Sequence, residues 1–149
     1  LPFLRSFNIN TKESKEIWRC AEPYYETVSS ITDFDKMSFI TSKQSQNETP
    51  NYYQYTNGTV KQLTTFADPQ PALRGVTKQK ITYKRKDGVD LAADLYLPKG
   101  YDATRDGKLP VIMWAYPREF KSSADAAQIR GSKHSFVRVG SGSMVFWVQ

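Results

Sequence analysis

From its first residues the chain alternates in short apolar and polar steps rather than in helical turns. In Phe3-Leu4-Arg5-Ser6-Phe7-Asn8-Ile9, residues Phe3, Arg5, Phe7 and Ile9 share one face of a strand; Thr11 to Lys15 interrupts the pattern and Glu16-Ile17-Trp18-Arg19 resumes it, which predicts a hairpin. Lys36 to Thr41 is a further strand candidate, followed by a polar stretch that ends at Pro50. The runs Tyr52-Tyr53-Gln54-Tyr55 and Val60 to Thr64 flank Asn57-Gly58, the residue pair that a two-residue hairpin turn favours because both central positions need positive φ. Strands and turns at this spacing fit a sandwich or a propeller, whose four-stranded blades take about 40–45 residues each. A propeller needs at least four blades, so the few strands before Phe66 cannot close a ring and leave strand edges open.

Pro69 and Pro71 forbid a regular helix or central strand and mark a linker over 71–76 between a first part, 1–70, and a second, 77–149. The second part opens with Lys80 to Lys84 and Val89 to Leu97 around Asp87-Gly88. Here Val89, Leu91, Ala93, Leu95 and Leu97 form one dry face, opposite Asp90 and Asp94. After a loop over 98–108, the unbroken apolar run Val111 to Ala115 predicts a strand buried on both faces, ended by Pro117. Residues 122–129 predict two helical turns with Ser122 or Ser123 as N-cap and Gly131 as terminator. The apolar run from Ser143 to Gln149 is too short for its pattern to separate strand from helix. A start without Met and an apolar end read as a chain taken from inside a longer one.

Composition narrows the classes. With 149 residues, 39% hydrophobic and 13% aromatic, the chain is neither disordered nor short of a core. No apolar run approaches the ~18 residues needed to cross a bilayer, so no membrane partner is expected. The net charge of +6 is scattered, densest at Lys84-Arg85-Lys86 beside a predicted turn, and no basic helix or zinc-finger spacing turns it toward nucleic acid. One cysteine and one histidine give no disulfide framework and no metal or cofactor site, and they leave the cellular compartment unassigned. Cys20, beside Trp18 and Ala21, reads as a buried inert thiol, and His134 as a surface loop residue.

Candidate chemistry is sparse. The string Gly140-Ser141-Gly142-Ser143-Met144 has Gly where a nucleophile elbow needs Ser, and reads as a flexible turn. Asp33 with Asp35 reads as turn chemistry, and Asp90 with Asp94 as a solvent face. Asn47-Glu48-Thr49 and Asn57-Gly58-Thr59 match the glycosylation acceptor pattern, which marks exposed loops. Tyr116 stands apart, at the end of the predicted buried strand. There it is either an aromatic plug or a phenol donor placed where the loop after the third strand of a hydrolase sheet builds its oxyanion hole.

Phe66-Ala67-Asp68-Pro69, Tyr83 to Val89, Leu95 to Asp102, Leu109-Pro110-Val111 and Tyr116-Pro117-Arg118-Glu119-Phe120-Lys121 resemble the prolyl oligopeptidase family of serine peptidases. The last of these strings, with Ala126 to Ser132, looks most like its glutamyl-endopeptidase-like branch; upstream, Pro23 to Glu26 and Pro50 to Tyr53 match less closely. The resemblance implies a β-rich propeller-blade fragment over 1–70, then the N-terminal part of an α/β-hydrolase domain over 77–149 with an antiparallel hairpin, a buried strand and a helix. It also implies a helical 143–149, and it places the family's oxyanion tyrosine on Tyr116. Nucleophile, acid and base of the Ser-Asp-His triad have no counterparts here, so the expected parent is a peptidase acting on peptides and the chain alone is expected to be inactive. Cleavage after Glu is implied by the branch alone. Open strand edges predict self-association. The competing expectation is a freestanding β-rich binding module that recognises a protein or peptide through Tyr52, Tyr53 and Tyr55.

Overall fold

The computed structural model describes residues 1–115, 122 and 131–149. It divides into two compact units, Leu1–Pro69 with His134–Phe136, and Gln70–Lys133 with Val137–Gln149. Among the described residues the architecture is β-rich and antiparallel, with little helix.

The first unit holds two sheets. Strands β1 (Phe3–Phe7) and β2 (Ser14–Arg19) form the predicted hairpin, with a register shift between Leu4 and Arg5 that breaks the simple alternation. Strands β3 (Tyr25–Asp33), β4 (Ser38–Gln44), β5 (Asn51–Thr56) and β6 (Thr59–Gln62) follow as a four-stranded antiparallel meander in chain order. Its turns carry the expected chemistry. The Asp33 carboxylate accepts the N–H groups of Asp35 and Lys36, both at 3.0 Å, and closes the turn between β3 and β4. Between β5 and β6, Asn57 has φ 48° and Gly58 φ 79°, the paired left-handed residues of a two-residue hairpin. Strand β3 was not foreseen. Its β-branched residues Thr27, Val28, Ile31 and Thr32 favour a strand, but register shifts at Val28/Ser30 and Ile31/Asp33 disrupt the period-two pattern that would have announced it.

Packing in this unit centres on β4. Phe39 stacks on Tyr55 at 4.9 Å between ring centroids, and Trp18 of β2 meets both rings edge-on at about 6 Å. Outside the sheet, Phe136 is buried, and its N–H donates to Gln44 Oε1 at 2.9 Å.

The second unit is built on the hairpin of β7 (Thr77–Lys84) and β8 (Asp90–Leu97). Its core is Leu73, Val76 and Val137, with Tyr96, Val139, Val145 and Val148 packed against them. The stretch expected to be a linker thus supplies two of three core residues. Pro71–Leu73 is a single 3₁₀ turn that turns Leu73 fully inward. Burying each such side chain stabilises by about 1.5–3 kcal/mol relative to exposure. Side chains hold the strand-less segment 137–139 in place of a sheet partner. Gln70 brackets Val139, accepting its N–H at 3.0 Å and donating to its carbonyl at 2.8 Å, and Arg74 donates to Val137 O at 2.7 Å.

Three expectations are corrected here. The run Val111 to Ala115 is not a strand buried on both faces: it has no regular structure, and Val111, Met113 and Trp114 are 81%, 83% and 70% exposed. A strand of that kind needs partners on both edges and cover on both faces, and the described part of this unit pairs β7 only with β8. The dry face of the second hairpin is half-buried at most, with Ile81 and Tyr83 across from it exposed. The core lies instead on the side of Tyr96, where Lys78 and Asp94 form a largely covered ion pair at 3.4 Å. Within the 98–108 loop, Ala103–Asp106 forms one short helix, α1, whose N-cap Asp102 accepts from the N–H groups of Thr104 and Arg105. The segment Met144–Val148 is a 3₁₀ helix capped by Ser143, which settles the question its pattern left open. The helix expected over 122–129 lies outside the described residues, Ser122 apart.

Candidate functional site

Tyr116, the one residue singled out for catalysis, lies outside the described residues. The other candidates can be placed. Ser143 accepts the Val145 N–H and its own N–H donates to Gly140 O, which makes 140–143 a helix-entry turn. His134 is not a surface loop residue. Only 14% of its side chain is exposed, and Nε2 lies 3.2 Å from Glu22 Oε1. Asp94 is no bare solvent-facing carboxylate, being tied to Lys78, whereas Asp90 is exposed on Lys84. Cys20 is buried; its sulfur accepts the Glu26 N–H at 3.2 Å and lies 3.3 Å from Tyr24 O. Among the described residues, no three His, Cys, Asp or Glu side chains converge to hold a metal ion.

The three tyrosines of the proposed recognition surface are not gathered. Tyr52 points to the opposite side of β5 from Tyr53 and Tyr55 and packs against Phe66. Tyr53 shares Lys43 with Tyr24, whose ring centroid is 4.0 Å from the ammonium. Tyr55 is drawn into the core.

A buried polar cluster went unforeseen. Glu26 of β3 is 4% exposed, and its Oε1 accepts from Thr41 Oγ1 of β4 at 2.6 Å and from Tyr55 OH of β5 at 2.9 Å. Burial, then the hydrogen bond and charge of Glu26, push the Tyr55 phenol up to about 12. The cluster ties three adjacent strands through one oxygen. Its chemistry is that of a cross-strand clamp, since a buried carboxylate is tolerated only when its oxygens are hydrogen-bonded. A nearby recess lined by Leu4, Ile17, Ile31, Phe34 and Phe39 is apolar and small.

Comparison with known proteins supplies what the described geometry does not. The chain is 43% identical over 159 aligned positions to a rice (Oryza sativa subsp. japonica) protein named "Probable glutamyl endopeptidase, chloroplastic". It is 41% identical over the same span to an Arabidopsis thaliana protein of the same name. The chain is related to these two proteins. Each alignment takes in 99% of this chain and 17% of the relative, so the chain spans about a sixth of the length of the curated relatives it matches. No family model matches the chain, and no solved structure matches it. Among the described residues no helix is long and apolar enough to cross a membrane.

Proposed function

We propose that this chain is a segment of a serine peptidase of the prolyl oligopeptidase family, joining the end of a β-propeller, 1–70, to the opening of an α/β-hydrolase domain, 77–149. The observation that carries the reading is the identity of 41 and 43% over 99% of the chain to two proteins named as glutamyl endopeptidases. The meander of β3 to β6 supports it, because four antiparallel strands within Tyr25–Gln62 are the make-up of one propeller blade, about 40–45 residues.

In this reading the whole protein hydrolyses peptide bonds through a Ser-Asp-His triad that lies outside residues 1–149, and Tyr116 donates its phenol O–H to the tetrahedral oxyanion. Residues 1–149 alone do not cleave peptides: one oxyanion donor without nucleophile or base cannot break an amide. Isolated, they self-associate through the open edges of β3 and β6, and sedimentation as a monodisperse monomer would contradict that. The test of function is peptide hydrolysis by the full-length protein, with glutamyl peptides as the first substrates, beside the isolated chain. Turnover by the first and none by the second is expected; turnover by the isolated chain would overturn the assignment.

A further inference from the structure

Two hairpins turn on a glycine that follows an amide or acid side chain, Asn57-Gly58 and Asp87-Gly88, and the structure treats them differently. At the second, the Gly88 N–H donates to Arg85 O at 2.8 Å, and the Arg85 guanidinium holds the Asp87 carboxylate, Nε to Oδ1 at 2.8 Å. Asp87 is ionised by that contact, and both the nitrogen that would attack and the carboxyl that would be attacked are engaged. At both turns the two residues are exposed and nothing lies within 4 Å of a Cβ built on the glycine, so hydrogen bonding is what separates them. Among the described residues the Gly58 N–H meets no backbone carbonyl and the Asn57 amide has no hydrogen-bond partner. The turn also closes on β6, a four-residue strand exposed along its whole length, and such an edge opens locally at low cost.

We propose that Asn57 is the chain's site of spontaneous conversion to aspartate and isoaspartate. The Gly58 nitrogen loses its proton to a base and bonds to Asn57 Cγ. The Cγ–Nδ2 bond breaks and ammonia leaves, giving a five-membered succinimide. One water then opens the ring. Cleavage at Cγ leaves aspartate, and cleavage at the α-carbonyl leaves isoaspartate, with the main chain running through Cβ. The other four asparagines are followed by Ile9, Thr11, Glu48 and Tyr52, whose side chains crowd the attacking nitrogen. Asn8 is further held by the N–H groups of Asn10 and Thr11, and Asn51 by Thr64 and the Phe66 N–H. Isoaspartate adds a backbone atom to a two-residue turn, so the pairing of Thr56 with Thr59 and Tyr55 with Val60 is lost and β6 is released.

The test is to age the purified chain in mildly alkaline buffer and follow every asparagine by peptide mass mapping, with isoaspartyl methyltransferase labelling of the same samples. The Asn57 peptide is expected to turn acidic several-fold faster than any other asparagine peptide. Asp87 stays unlabelled, Asn57→Gln removes the label, and the aged fraction loses hydrogen-exchange protection over 59–62. In urea, where the turn and the Arg85 contact are gone, Asp87 becomes labelled too. Survival of the Asn57 amide for as long as that of Asn51, a label that persists in Asn57→Gln, or an Asp87 that urea leaves unlabelled would overturn the proposal.

Discussion

Glu26 holds three strands through one oxygen, and that arrangement makes its partners interdependent. Tyr55→Phe and Thr41→Val each remove one donor and are expected to cost about 1 kcal/mol of unfolding free energy. The double variant should cost more than the sum, because it leaves a buried carboxylate oxygen stripped of both donors, and a denaturant-based double-mutant cycle measures the excess. Burial of the Tyr55 phenol, and then the same contact, set a pH dependence. The folded Tyr55 phenol is raised above its ordinary 10.0, to about 12, so its share of stability is complete below pH 10 and is lost as pH climbs toward 12. Denaturation midpoints of the parent chain and Tyr55→Phe should therefore converge across that alkaline window. Cys20 was readable as buried from the apolar residues beside it. Glu26 was not, since its partners stand 15 and 29 positions away and nothing local announces them.

At the level of elements, local chemistry carried most of the prediction. Asn57-Gly58 and Asp87-Gly88 mark hairpins because positive φ is a demand that a dipeptide can answer alone. Where an element depends on distant cover, the pattern misled. Leu73 and Val76 lie in a stretch broken by two prolines and a glycine and look like a connection, yet Val137 and the 3₁₀ helix 144–148 bury them. Leu73→Ala should accordingly cost about 2–5 kcal/mol in denaturant unfolding, where a truncation in an exposed linker would stay within about 0.5 kcal/mol. The run 109–115 is the converse case, apolar enough for a central strand but part of no sheet among the described residues, and Trp114 is 70% exposed. Trp114 is therefore expected to emit like a solvent-exposed indole and to be quenched freely by acrylamide, as read from the difference between the parent chain and Trp114→Phe.

For the whole molecule, the structure gives two compact units, and the named relatives supply the ground for the proposed function. Little of the catalytic site could be read from the sequence by physics alone. A triad is a meeting of residues far apart in the chain, and a lone Tyr116 at the end of an apolar run is equally an aromatic plug until its neighbours are known. The resemblance alone implies the donor role, which stands as a proposal. In the full-length protein, Tyr116→Phe is expected, under the proposed role, to lower kcat by about 10²–10³ with little change in KM, since an oxyanion donor would act on the tetrahedral intermediate and not on the bound substrate.

The most direct measurement is to treat the full-length protein with a fluorophosphonate that reacts only with activated serines, and to map the modified peptide while following hydrolysis of a glutamyl peptide. Loss of activity in step with labelling of a single serine outside residues 1–149 is expected, with no labelling of the isolated chain. Hydrolysis that persists without any labelled serine, or a label on a serine within these residues, would contradict it.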